Sequence, residues 1–243
     1  MAGFEPVTDH IHRMEVPFEV FGGIAVPVAF WLVVRDGEWT LIDSGPPEAA
    51  ENLVAAVRLA TRGAGVRRVL LTHGHYDHAG GLAALRLAWN PAVVCHRDEV
   101  PFVTGAVSYR RQPPRGVAFW LGRFFMRTGR WQIPVAREVE GGQASDGLAV
   151  IHLPGHTPGQ VGFLHPQDAA LICGDAAMNL RERLSPPFAF ASPDPGIALA
   201  SMVRLCELDY DHLLPSHGPP ILRRGRDVIL DYLDQRGIAV DSI

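Results

Sequence analysis

Residues 72–81 read Thr72-His73-Gly74-His75-Tyr76-Asp77-His78-Ala79-Gly80-Gly81, with three imidazoles and a carboxylate inside six positions. Imidazole nitrogen and carboxylate oxygen are the ligands that zinc and the neighbouring divalent metals take, and no helix or strand face needs such a cluster for packing. The spacing argues for more than one ion. In an extended chain His73 and His75 project from the same side, whereas Asp77 and His78 fall on a turn entering a helix, so one metal is not expected to use all four. The competing reading, a solvated polar turn with incidental histidines, gives a loop no reason to collect three imidazoles.

Three further candidates stand at the ends of apolar, strand-like runs, each beside glycine. Residues 148–155 lead to His156, which is followed by Thr157-Pro158-Gly159. Residues 170–174 lead to Asp175, and residues 213–216 lead to His217-Gly218. Strand ends next to Gly and Pro are where a rigid framework delivers a side chain into a cleft.

The HxHxDH run, the later GHTPG, the GD after an apolar strand and the late SHG resemble the metallo-β-lactamase superfamily, in order from Asp43 to His217. The resemblance implies an α+β fold, the four-layer αβ/βα sandwich of two similar halves, with residues 1–243 as a single domain. It implies one metal on His73, His75 and His156, a second on Asp77, His78 and His217, and Asp175 bridging them. It also places Asp43 near the metals without being a main ligand, as support for the ligands from behind; a helix-capping role is the alternative.

Two such ions suit hydrolysis, since they hold a hydroxide between them and polarise the bond it attacks. Asp77 is then placed to orient the attacking water as well as to bind metal. Mixed nitrogen and oxygen ligands suit zinc first, with iron and manganese admissible. Asp175 as the bridging residue resembles the glyoxalase II and lactonase-like members, which points to a carboxylic ester, lactone or thioester. Met178 stands where the lactonases carry tyrosine, and there is no lysine to hold glutathione as glyoxalase II enzymes do. The alternative is phosphodiester hydrolysis, including nuclease activity; β-lactam cleavage and metal-dependent oxygenation are further alternatives. The diiron oxygen-reducing branch is disfavoured because its pattern has glutamate at the His75 position.

The elements that must position these residues are readable in outline. Residues 7–34 alternate as two strands about Gly22-Gly23, Asp36-Gly37 is a hairpin signal, and residues 39–42 pair back. Residues 69–71 read as a buried strand, residues 48–62, 81–89, 197–208 and 227–235 as helices, and residues 92–95 as another strand. His10, His12, His96 and His212 are read as structural, and His165 as solvent-exposed in a turn before Pro166. Residues 180–196, with Ser185-Pro186-Pro187-Phe188, read as a rigid proline-rich loop lining the cleft, so Phe188 and Met178 are expected near the substrate.

Residues 109–137 depart most from the average, with seven of the 22 bases and none of the 26 acids. Arg123, Arg127 and Arg130 fall at helical spacing, so a helix over 117–130 is expected to carry a cationic face, and Phe119, Trp120, Phe124, Phe125, Met126 and Trp131 are interleaved with the charges of the segment. As an insertion near the substrate mouth it is expected to grip an anionic or amphiphilic small molecule through Arg123 and Arg127; packing by the aromatics with solvated arginines is the other reading.

Composition sets the remaining bounds. The chain has 243 residues, 47% hydrophobic and 20% charged, with a net charge of −4, which disfavours nucleic acid as a partner. No run reaches the ~18–20 apolar residues of a membrane helix, and the first residues lack a signal-peptide pattern, so a cytoplasmic location is expected. Cys95, Cys173 and Cys206 are odd in number and lack metal spacing, which argues for packing. With no lysine, a Schiff-base mechanism is excluded. Oligomeric state is not readable.

Overall fold

A computed structural model describes residues 3–21, 23–124, 126–129 and 131–240, apart from the Phe21 side chain. Gly22 of the expected Gly22-Gly23 turn, and Phe125 and Arg130 of the expected basic helix, lie outside the described residues. The chain divides into two compact units, Met1–Arg111 with Arg127–Val139, and Gln112–Met126 with Glu140–Ile243.

The first unit holds β1 (Glu5–Pro6), β2 (Ile11–Phe21), β3 (Ile24–Arg35), β4 (Glu38–Ile42), β5 (Arg68–Leu70), β6 (Ala92–His96) and β7 (Arg137–Val139) in one sheet whose spatial order follows the chain. β1 to β4 are antiparallel, and Asp36 and Gly37 both have positive φ, 51° and 77°, as a type I′ hairpin turn requires. From β4 to β7 every pairing is parallel. Parallel neighbours need crossovers. Helix α1 (Ala50–Ala60) carries the chain from β4 to β5, and α2 (Tyr76–Ala79) with α3 (Leu82–Trp89) carries it from β5 to β6. α1 and α3 pack on each other, burying Leu53, Val57, Leu82 and Leu85. After β6 comes the short α4 (Val100–Val103).

The second unit opens with α5 (Val117–Gly122) and builds a five-stranded sheet from β8 (Ala144–Ser145), β9 (Leu148–His152), β10 (Val161–His165), β11 (Ala170–Gly174) and, beyond a hairpin of β12 (Met178–Leu180) and β13 (Arg183–Ser185), β14 (His212–Pro215). Its order is β14-β11-β10-β9-β8, and the one parallel pair, β11 with β14, is bridged by α6 (Pro195–Arg204). Asp194 starts α6 by accepting from Ile197 N at 3.0 Å, with Pro195 in the first turn. α7 (Gly225–Asp234) follows β14. Leu171, Cys173, Met202, Leu213, Ile229 and Leu233 form the core of this unit.

Two expectations differ from what is observed. The helix expected over 117–130 ends at Gly122, whose Cα hydrogen side lies so close to Phe190 that a Cβ there would stand 2.7 Å from its carbonyl oxygen. Arg123 follows the last helical residue, and Arg127 belongs to the other compact unit, so they share no helix face. Within the loop expected over 180–196, β12 and β13 instead form a hairpin about Arg181 and Glu182, both at positive φ. Arg-Glu carries none of the Asn-Gly chemistry that announces such a turn. Among the described residues no helix is long and apolar enough to cross a membrane.

Glycines hold two ligand loops in shapes other residues resist. Gly218 has φ +102° and a Cβ there would stand 1.9 Å from Asn179 O; Gly155 has φ +119° and would meet Ala198 N at 2.1 Å. Gly142 has φ +83° but open space around it. Gly218→Ala is therefore expected to cost at least about 3 kcal/mol, and Gly142→Ala only about 1 kcal/mol. Urea midpoints of the two variants check this; equal shifts would show that the contact with Asn179 relaxes without cost.

Candidate metal centre

In the first unit the HxHxDH run leaves the end of β5 and enters α2. Asp43, at the end of β4, organises it. Its backbone takes positive φ, 59°, an uncommon state that Asp tolerates better than most residues. Its carboxylate accepts from Thr72 N at 2.8 Å, Thr72 Oγ at 2.7 Å and His78 Nδ1 at 2.9 Å. Ser44 adds its N–H and hydroxyl to His78 O, at 2.6 and 2.9 Å. Neither Pro46 nor Ala49, which precede the helical turns after β4, has a side-chain cap, so Asp43 serves the histidines rather than a helix end.

These bonds set protonation. Asp43 accepts the His78 Nδ1 proton, so Nε2 carries the lone pair. The Thr72 hydroxyl donates to Asp43 and so accepts from His73 Nδ1, 3.1 Å away, which leaves the lone pair on His73 Nε2. That atom is 3.1 Å from His75 Nδ1. Two ligands on one tetrahedral zinc stand about 3.3 Å apart. The rings of His73 and His78 lie 4.0 Å apart, and Asp77 Oδ2 is 3.8 Å from His78 Nε2.

The second unit offers a matching set. His156 follows β9, Asp175 follows β11 and His217 follows β14. Asp175 Oδ2 lies 3.3 Å from His156 Nε2 and 3.2 Å from His217 Nε2, the spacing of neighbouring ligands again. Ser192 Oγ donates to Phe188 O at 2.9 Å and so accepts from His156 Nδ1 at 3.0 Å, which puts the lone pair on Nε2. Asn179 N donates to His217 O at 2.8 Å, and Ser216 N to Gly174 O at 3.1 Å. All seven side chains are buried, and their donor set of imidazoles and carboxylates fits divalent metal.

The remaining sites expected from sequence are placed as follows. Met178 is buried on β12, and Phe188 is half-buried and stacks on Phe190 at 5.2 Å. Arg123 lies over the Phe124 ring. Arg127 bonds to Glu48 and, at 3.0 Å, to Tyr76 Oη, with its guanidinium 4.3 Å from the Tyr76 ring centre. Burial pushes the Glu48 carboxyl up, but its own backbone N–H, Arg127 and Tyr76 together bring it below its ordinary value. Beside this group a cleft of about 580 Å³ is lined by Val16, Phe18, Pro46, Glu48, Ala49 and Arg127.

His96 and His212 accept from nearby backbone N–H groups at 3.2 and 3.0 Å, whereas His165, expected to be exposed in a turn, is buried at the end of β10 and accepts from Asp168 N at 3.2 Å. All three cysteines are buried, and burial pushes the Cys173 thiol up to about 12, so it packs and does not react. Sequence reasoning passed over Glu99 and placed Tyr109 and Trp131 only in the arginine segment, yet all three bond to Gly74 backbone groups. Glu99 carried one legible signal, an acid three residues after the strand-end His96.

The family model described as the metallo-beta-lactamase superfamily matches residues 23–217. The chain is 29% identical over 201 residues to the probable metallo-hydrolase YflN of Bacillus subtilis, covering 75% of this chain and 76% of that protein. It is 31% identical over 145 residues to a hydroxyacylglutathione hydrolase of Anaeromyxobacter dehalogenans, covering 60% of this chain and 44% of that one. Among solved structures, TTHA1623 in a di-iron-bound form superposes with a TM-score of 0.63 at 28% identity, covering 87% of this chain and 96% of that one. The chain belongs to the metallo-β-lactamase superfamily, with its α+β fold.

Proposed function

We propose that the two sets of side chains bind two divalent ions, His73, His75 and His156 on one, Asp77, His78 and His217 on the other, with Asp175 shared, and that the protein hydrolyses a carboxylic ester, lactone or thioester. The observation that carries the proposal is the protonation pattern. On His73, His78 and His156 the far ring nitrogen is tied to an oxygen, so the lone pair stands on the nitrogen that a metal would take, as in known metal-histidine sites. When bound, the ions supply Lewis acidity and a water made acidic near neutral pH. This chain's own part is to fix those imidazoles, and Asp77 is the carboxylate placed to hold the attacking water's proton. Zinc is the first choice of metal, and the di-iron form of a relative keeps iron in the test.

The reaction class rests on Asp175 as the shared ligand and on the hydroxyacylglutathione hydrolases among the relatives, which act on a thioester. Of the residues expected to meet substrate, Phe188 and Arg123 offer partly exposed surface, whereas Met178 is buried. Arg127 is charge-matched by Glu48, so the cleft beside it suits a substrate that is neutral where it touches, with the flat guanidinium and Phe18 as its walls.

The test is a panel of p-nitrophenyl esters, a lactone, an acyl thioester and bis-p-nitrophenyl phosphate, offered to the zinc-, iron- or manganese-loaded protein. Turnover of a carboxyl substrate, reduced at least about a hundredfold in Asp77→Ala, is expected. Preference for the phosphodiester would replace the carboxyl assignment with phosphoryl transfer.

A further inference from the structure

The Gly74 peptide lies between the ligands His73 and His75, and three residues remote in sequence grip it from both sides. Its N–H donates to Glu99 Oε2 and to Tyr109 Oη, each at 2.9 Å. Its carbonyl accepts from Trp131 Nε1 at 3.3 Å. Tyr109 Oη in turn donates to Glu99. Glu99 has no exposed surface and Tyr109 almost none. A carboxylate so buried persists only where donors surround it, and here two of them come from the metal loop and its neighbour. The Tyr109 ring meets the His75 ring edge-on at 4.5 Å and stacks on Phe102 at 4.1 Å. Burial first, then the adjacent Glu99 charge, pushes the Tyr109 hydroxyl well above its ordinary value, so it is a neutral donor.

The fit leaves no room at position 74. A Cβ there would stand 2.6 Å from Tyr109 Oη and 3.0 Å from Val103 Cγ2. Glycine is the residue with most backbone freedom, so an unheld Gly74 would let the two imidazoles drift apart.

We propose that Glu99, Tyr109 and Trp131 form a clamp on the Gly74 peptide that presets the His73 and His75 nitrogens for metal. They are positioning residues: they touch the loop and the His75 ring, and the ion through neither. The proposal rests on the reading that His73 and His75 bind metal. Its chemistry is that of a supporting layer behind ligands, whose loss commonly weakens metal by about 10–100-fold.

Glu99→Gln and Tyr109→Phe test it. Gln keeps one acceptor for the Gly74 N–H, and Phe keeps the stack on Phe102, so both variants are expected to fold. Val57→Ala, in α1, is the control, since it removes buried packing in a helix that carries none of the candidate ligands. Zinc affinity is read by competition with a chromophoric chelator, and the thermal midpoint is read on chelator-stripped protein. Tyr109→Phe is expected to weaken the tighter-bound zinc about 10–100-fold, Glu99→Gln somewhat less, and Val57→Ala not at all although its midpoint falls. If both clamp variants hold zinc as the wild type does, or if Val57→Ala loses affinity in step with its stability, the clamp is merely structural. Failure of the wild type itself to take up zinc, iron or manganese would instead remove the metal reading and the clamp with it.

Discussion

Asp175→Ala is expected to lower bound metal from two ions per chain to one or fewer, and to reduce hydrolysis at least about a thousandfold. One oxygen, Oδ2, lies within 3.3 Å of both the His156 and His217 nitrogens, so alanine removes the group that links the two imidazoles. Loss of the Lewis acid forfeits several kcal/mol of transition-state stabilisation, and each 1.36 kcal/mol is a factor of ten in rate. Stability provides an independent signature. Metal that binds only the folded state raises the thermal midpoint by mass action, so the wild type should melt higher when loaded than when stripped. In Asp175→Ala that gap should shrink or close. Two ions per chain by elemental analysis, or an undiminished gap between loaded and stripped protein, would rule out Asp175 as the shared ligand.

Asp43→Asn tests the support behind the ligands. Asn tolerates the positive φ that Asp43 adopts, so the backbone should survive. The amide can accept from Thr72 N, but its NH2 then faces the Thr72 hydroxyl and His78 Nδ1, which both donate to Oδ2 at present. His78 must either lose that bond or move its proton to Nε2, the atom offered to metal. Turning the amide over only transfers the conflict to Thr72 N. The expected result is a roughly 10–100-fold loss of affinity at the site of Asp77, His78 and His217, with a smaller loss at the other site through Thr72 and His73. Apo stability should fall by about 1–3 kcal/mol, the cost of a buried donor left unmet. Chelator competition resolves the two affinities, and long-range nitrogen-15 spectra of the imidazoles report the His78 tautomer. An unchanged tautomer with unchanged affinities would reduce Asp43 to a turn residue.

Residues close in sequence were the legible ones. The spacing of His73, His75, Asp77 and His78 holds its meaning in any strand-to-helix turn, because two-residue periodicity and a helix start are local properties. The strands that end at His156, Asp175 and His217, and the Asp36-Gly37 turn, were readable for the same reason: apolar runs and positive-φ residues report local backbone state. The helix expected over 117–130 was misread because charge spacing is not an apolar face. A helix is held mainly by the packing of such a face, and at Gly122 that packing meets the Phe190 backbone.

The sequence by itself determined the types and order of the candidate ligands and the family to which the chain belongs. Only the tertiary structure bears on which nitrogen of His73, His78 and His156 carries the proton, since that depends on Asp43, Thr72 and Ser192 coming within hydrogen-bond distance of rings up to 36 positions away. It alone brought Glu99, Tyr109 and Trp131, which are 25, 35 and 57 positions from Gly74, onto one peptide. It also matched Arg127 to Glu48, 79 positions away. Contacts at that separation arise from how strands and crossovers pack, and no periodicity along the chain encodes them.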